Sequence, residues 1–163
     1  MKEQAEKPIF EGLSLAEIEE ISAEMRHYED KTAVSIEALK IVQKYRRWVS
    51  GECLVAVAGL LEMSPAQLEG VATFYNLIYR QPVGKTVIHY CNSVTCWMLG
   101  AEQVRERLCQ HLNVGLGEMS ADGEYTILPI VCLGACDHAP VAMVGDELKF
   151  DITEDAVNEI LGR

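Results

Sequence analysis

Thr86-Val87-Ile88-His89-Tyr90-Cys91-Asn92-Ser93-Val94-Thr95-Cys96 is the stretch on which the reading of the second half of this chain turns. Its first five residues are β-branched, apolar or aromatic and predict a strand. A helix is expected next over about 98–112, with Val104 and Leu108 inward, Glu102, Arg105 and Glu106 outward, and Asn113 and Gly115 ending it. Ala121-Asp122-Gly123-Glu124 is turn chemistry before a second strand over 125–131, where Pro129 implies an edge or a bulge. Segments 141–144 and 147–150 flank Gly145-Asp146 as a hairpin. A last helix begins at Thr153 and carries Ala156, Val157, Ile160 and Leu161.

The order β-α-β-β-β-α, with a first crossover by helix, predicts a small sheet covered by helices, as in thioredoxin-like domains. Upstream the grammar differs. Ser14 with Glu17 is a capping-box signal before Leu15, Ile18, Ile21, Ala23 and Met25. Asp30 can cap a second helix running to Trp48, and Ser50 starts a third through Cys53, Leu54, Val57, Leu60 and Leu61. Ser64-Pro65-Ala66-Gln67 opens a fourth, with serine to cap, proline at the first helical position and glutamine at the third. Gln81-Pro82-Val83-Gly84 is the junction. The expected architecture is therefore α+β: a helical bundle over 1–80, its first residues disordered, and a second domain over 81–163.

Composition narrows the function classes. Hydrophobic residues make up 49% and charged residues 24%, which suits a packed core. The net charge of −11 opposes binding to phosphate backbones, so no nucleic-acid partner is expected. Lys40, Lys44, Arg46 and Arg47 are the nearest approach to a basic patch, and at helical spacing they read as a solvated face. The apolar run from Cys53 to Leu61 is far short of the roughly 20 residues a membrane span needs. The opening residues resemble neither an export signal nor a transit peptide. Six cysteines are too sparse for a disulfide scaffold, so a reducing cytosol is expected, where paired cysteines more often serve metal or redox chemistry.

Four of the six pair up by position. Cys91 closes the first strand and Cys96 lies five residues on; Cys132 closes the second strand and Cys136 lies four on. If the two strands are parallel neighbours, their C-terminal ends bring both loops to one edge of the sheet. Gly100, Gly134, Ser93 and Ala135 would let backbone N–H groups approach anionic sulfur. Structural zinc prefers Cys-x-x-Cys knuckles. The wider gaps here favour an elongated 2Fe–2S cluster with four terminal thiolates, with zinc the rival that spacing leaves open. A thioredoxin-type dithiol needs Cys-x-x-Cys at a helix start. Cys96 has that place, but its partner Cys91 stands at the wrong spacing. Cys53 and Cys109 occupy apolar helix positions and read as ordinary buried cysteines.

Other side chains offer less. His89 and His138 are weak candidates as ligands beside four cysteines, and His138 reads as a neighbour of the site or a surface residue. His27 and His111 are expected on helices, solvated. Gly115-x-Gly117 lacks the preceding strand and third glycine of a dinucleotide loop. No Ser-His-Asp set or catalytic carboxylate pair is discernible.

The residues resemble a known family, the E subunits of bacterial NADH:quinone oxidoreductase (respiratory complex I), which are thioredoxin-like 2Fe–2S ferredoxins. The resemblance rests on Ser35-Ile36-Glu37-Ala38-Leu39-Lys40-Ile41-Val42-Gln43 and Glu69-Gly70-Val71-Ala72-Thr73-Phe74-Tyr75. It rests also on Tyr90-Cys91-Asn92-Ser93-Val94-Thr95-Cys96 and on Cys132-Leu133-Gly134-Ala135-Cys136-Asp137 with Ala139-Pro140. It implies one 2Fe–2S cluster on Cys91, Cys96, Cys132 and Cys136, and no complete active site on this chain alone. It also implies partners: a flavin-bearing subunit that binds FMN and oxidises NADH, and further iron–sulfur subunits. The implied location is cytoplasmic, in the peripheral part of a membrane-bound complex, with no insertion by this chain and the cluster beside the main electron route. The same module in the diaphorase part of an NAD-linked hydrogenase or formate dehydrogenase is the alternative, and a zinc-stabilised interaction module a weaker one. Two departures stand out: Gly115-Leu116-Gly117 where the family often has Lys-Pro-Gly, and Val131 where a polar residue often precedes the third cysteine.

Overall fold

The computed structural model describes residues 12–161, and the expected disorder of the first residues lies outside them. Two compact units divide the chain, Met1–Pro82 and Val83–Arg163.

Four helices build the first unit: α1 (Leu15–Met25), α2 (Ser35–Arg46), α3 (Gly51–Leu60) and α4 (Pro65–Phe74). Each start is a local event. Ser14 and Ser64 both close full capping boxes, with Glu17 and Gln67, and the Ser50 hydroxyl accepts from the Cys53 N–H. Asp30 caps a short 3-10 turn, Lys31–Val34, that leads into α2 rather than capping α2 itself. Ile21, Leu39, Val42, Val57, Leu61 and Leu68 meet in a core closed to solvent. Cys53 lies in that core, its thiol 3.4 Å from the Gly12 carbonyl.

One residue reverses its sequence reading. Leu15 is exposed, whereas Glu17 is buried. Arg46 reaches it from α2 with Nε and Nη2 each donating at 2.6 Å, and the Ser14 N–H donates to the same carboxylate. Burial alone pushes the Glu17 carboxyl up, but the Arg46 and Ser14 hydrogen bonds and the Arg46 charge outweigh it and leave it below its ordinary 4.5. Lys44 and Lys40 are likewise engaged by Glu20 and Glu37, so the cations of α2 do not form a basic patch.

Arg46→Met strands the Glu17 carboxylate and is expected to cost the first unit about 2–3 kcal/mol, Arg46 being partly exposed. A folded-state pKa below the ordinary value stabilises fully above that value and is lost as pH falls through the folded one. Urea unfolding should therefore show the gap between wild type and variant at neutral pH and its closing as the pH falls below the ordinary carboxylate value of 4.5.

The second unit is a four-stranded sheet in the order β2-β1-β3-β4, built from β1 (Thr86–Cys91), β2 (Tyr125–Ile130), β3 (Ala142–Val144) and β4 (Glu147–Lys149). β1 and β2 are parallel; β3 is antiparallel to β1 and to β4. β2 is an edge strand, which accommodates Pro129 with its missing N–H. β1 is central and buried on both faces, so Ile88 and Tyr90 point one way and His89 the other. Val104 and Leu108 of α6 (Ala101–Leu112) and Val157 and Ile160 of α7 (Val157–Ile160) pack with Ile88, Tyr90, Ile127 and Ala142. The Tyr125 hydroxyl donates to the Leu161 carbonyl at 3.1 Å, tying the last turn to β2.

The helix expected over about 98–112 is α6, and a short helix that the sequence reading did not foresee precedes it. α5 (Val94–Met98) ends at Leu99, Gly100 takes φ +100°, and α6 starts at Ala101. A residue without Cβ reaches that left-handed geometry at little cost, so the chain turns there instead of continuing. Asn113 ends α6 in the left-handed region, as its side chain allows. The last helix is preceded by a 3-10 turn, Glu154–Ala156, after Thr153. His27 falls in the turn after α1 and is exposed, not helical, while His111 sits in the last turn of α6.

Candidate metal centre

The parallel register sets Cys91 opposite Ile130, so the loops leaving β1 and β2 emerge side by side. Two backbone bonds hold that exit. The Cys91 N–H donates to the Val141 carbonyl and the Asn92 N–H to the Ile130 carbonyl, both at 3.0 Å. Ser93 occupies the start of α5, which places Cys96 within this short helix rather than before it. Cys91 and Cys96 are both buried, packed against Ala101 and Val141 with Leu133, Ala135 and Ala139 around them.

The second loop is built differently. β2 ends at Ile130, so Cys132 lies two residues beyond the strand, not at its end. Gly134 turns the loop back at φ +79° and donates its N–H to Cys132 Sγ at 3.3 Å. Cys136 opens a 3-10 turn, Cys136–His138, held by the His138 N–H to the Ala135 carbonyl. Cys132 Sγ and Cys136 Sγ come within 3.9 Å, and both residues are exposed.

The four thiols influence one another. Burial, a hydrogen bond with Cys91 and the nearby Cys91 and Cys136 sulfurs push Cys96 up to about 11. Cys136 is raised by its hydrogen bond with Cys132 and the charge there, with smaller effects from burial, Cys91 and Asp137. Cys96 thus resists ionising chiefly because it is buried, and Cys136 chiefly because Cys132 stands close. A cationic group bound there would supply the missing compensation, which is the ordinary reason a thiolate cluster can serve as a metal ligand set. Among the described residues, no three His, Cys, Asp or Glu side chains converge on a point suited to one ion. The arrangement is two pairs, and pairs are what a cluster of two irons with two terminal thiolates each requires. The donor set fits such a cluster.

The remaining candidates stand apart in function. His138 places Nδ1 3.2 Å from an Asp151 carboxylate oxygen and sets its ring against Phe150. His89 is buried in β1, and burial pushes its pKa down. Cys109 is half-buried against the core of the second unit, as its helix position implies. Sequence reasoning passed over one feature, a rim of exposed apolar side chains around the loops: Val94, Trp97, Met98, Leu99 and Val131, each at least 58% exposed. Its signal was present. Residues 92–100 and 131–136 contain no charge in a chain that is 24% charged.

Residues 21–163 match the family model of the thioredoxin-like [2Fe-2S] ferredoxins, and the chain belongs to that family. Among its relatives is the E subunit of the NADH-quinone oxidoreductase of Escherichia coli K12, 46% identical over 161 residues, which covers 99% of this chain and 96% of that one. The protein of the same name from Pseudomonas aeruginosa is 46% identical over 149 residues, covering 91% and 90%. Among solved structures, a chain of an NAD+-reducing [NiFe]-hydrogenase shares the fold with a TM-score of 0.66. It is 19% identical, and the match covers 79% of this chain and 22% of that one. Among the described residues no helix is long and apolar enough to cross a membrane.

Proposed function

We propose that Cys91, Cys96, Cys132 and Cys136 hold one 2Fe–2S cluster and that the chain is the E subunit of an NADH–quinone oxidoreductase. The reading is carried by one observation: four thiols gathered in two pairs at the C-terminal ends of parallel strands β1 and β2. The near-full-length relatives of that name support the choice of complex. A bound 2Fe–2S cluster accepts and returns one electron at a time.

This chain's own residues do the rest. Cys91 and Cys96 sit among Ala101, Val141 and Leu133, which exclude water from the inner side. The Gly134 N–H stabilises negative charge on Cys132. Cys132 and Cys136 lie at the surface within the uncharged rim of Val94, Trp97, Met98, Leu99 and Val131, where another protein can approach without stripping water from charges. In this reading that neighbour bears FMN and oxidises NADH, and single electrons pass between the FMN and this chain. Further iron–sulfur subunits complete a cytoplasmic arm.

The purified chain is expected to be coloured, to carry two irons and two labile sulfides, and to give an EPR signal on reduction. A colourless protein with stoichiometric zinc would overturn the proposal. Co-purification with an FMN-bearing, NADH-oxidising chain tests the partner; a stable complex lacking flavin refutes that part.

A further inference from the structure

The two cysteine pairs differ in a way that binding a cluster does not require. The inner pair is sealed, with Cys91 2% and Cys96 1% exposed. The outer pair is open to solvent, and its sulfurs are 3.9 Å apart within one short loop. A disulfide needs about 2.0 Å. The loop between them contains Gly134, around which a Cβ would meet nothing within 4 Å, and the small Ala135, so there is room for the remaining closure.

We propose that, before a cluster is loaded, Cys132 and Cys136 form a reversible disulfide with low-molecular-weight disulfides while Cys91 and Cys96 remain thiols. Through this step the outer loop gates cluster loading; that consequence rests on the ligand assignment above.

The chemistry balances as a thiol–disulfide exchange. One outer cysteine, as thiolate, attacks a sulfur of the small disulfide; its S–S bond breaks and one small thiolate leaves. The other outer cysteine then attacks the mixed disulfide and expels the second small thiolate. Two protein thiols are oxidised, the small disulfide is reduced to two thiols, and the protons lost by the protein are taken up by the leaving groups. A dithiol reductant reverses the sequence. Cys91 and Cys96 are excluded by access, since an attacking or attacked sulfur must meet its partner in line and their surroundings are closed. Disulfide formation also protects the exposed sulfurs from irreversible oxidation while the site waits for iron.

The test uses the full-length chain, with its iron and sulfide content measured as purified and then stripped by a chelator under reductant. Glutathione disulfide is the probe, and acid quenching, differential alkylation and peptide mass spectrometry are the readout. The Cys132–Cys136 disulfide is expected to form about tenfold or more faster than any change at Cys91 or Cys96. The oxidised chain should then take up no iron and sulfide until dithiothreitol is added. Persistent glutathione adducts on unlinked Cys132 and Cys136 would overturn the proposal, as would an inner or cross-loop disulfide forming first. Cys136→Ser should convert the product to a stable adduct on Cys132. The Cys91→Ser/Cys96→Ser double variant presents the outer loop without stripping, and failure of its disulfide to form also counts against the proposal. A chain purified without iron that still forms the disulfide refutes the cluster assignment alone; one that carries iron but forms no disulfide refutes only this inference.

Discussion

Cys91→Ser and Cys136→Ser should each lower iron and sulfide uptake about tenfold or more, whereas Cys53→Ser should leave it unchanged. A serine hydroxyl ionises with far more difficulty than a thiol and offers iron a harder, weaker donor. The two losses come by different routes. Serine at the buried Cys91 position replaces a thiol that meets the Val131 carbonyl at 3.7 Å with a shorter hydroxyl among apolar neighbours, so the inner pair is disturbed even without iron. The exposed Cys136 side chain is replaced with little cost to the fold, so circular dichroism of that variant should match wild type while the visible absorption is lost. Cys53 is the control that gives the pattern meaning. It is as buried as Cys91, but in the core of the first unit, with the Gly12 carbonyl to accept from a hydroxyl in its place. Equal loss of iron in all three variants would show that the ligand assignment is wrong.

The second large effect is structural. Gly84→Ala is expected to destabilise the second unit by about 3 kcal/mol. A Cβ on Gly84 would stand 2.6 to 2.8 Å from the backbone C, N and Cα of Tyr125, and a strand backbone cannot step aside as a flexible side chain can. The same approach lets the Gly84 N–H donate to the buried Thr126 hydroxyl at 2.9 Å, so relief of the clash also breaks that bond. The expected signature is lower amide-exchange protection in β1 and β2. Gly51→Ala, at the first position of α3 with nothing within 4 Å, should be neutral or slightly stabilising. Unchanged protection in Gly84→Ala would mean that the close approach is not maintained in solution.

How much of this was legible in the sequence depends on whether the cause was local. Ser14 with Glu17, Ser64 with Gln67 and Ser50 act within one helical turn, and each start could be read from the residues themselves. Pro129 was legible as an edge residue because its missing donor has the same consequence in any sheet. Leu15 was misread because an apolar residue on a helical stripe looks inward-facing, and the burial of Glu17, legible only as a capping partner, depends on Arg46 from another helix. Gly84 looked like one more turn residue, since what it meets lies on β2, far along the chain. At the candidate site the four cysteines and the two loops were legible. Their unequal burial was not, because it depends on Ala101, Val141 and Ala139 folding over one pair and not the other.

The division at Pro82 gives each unit one of the chain's two tryptophans, Trp48 in the helical unit and Trp97 on α5 beside the site. The chain therefore carries its own pair of fluorescent reporters. The half-buried Trp48 indole follows a fold made of short-range helical contacts, whereas Trp97 follows one whose central pairing joins Thr86 to Tyr125 across two intervening helices. Because loop closure slows the formation of distant pairings, the Trp48 signal is expected to recover faster than the Trp97 signal on refolding, so that each phase has its own dye.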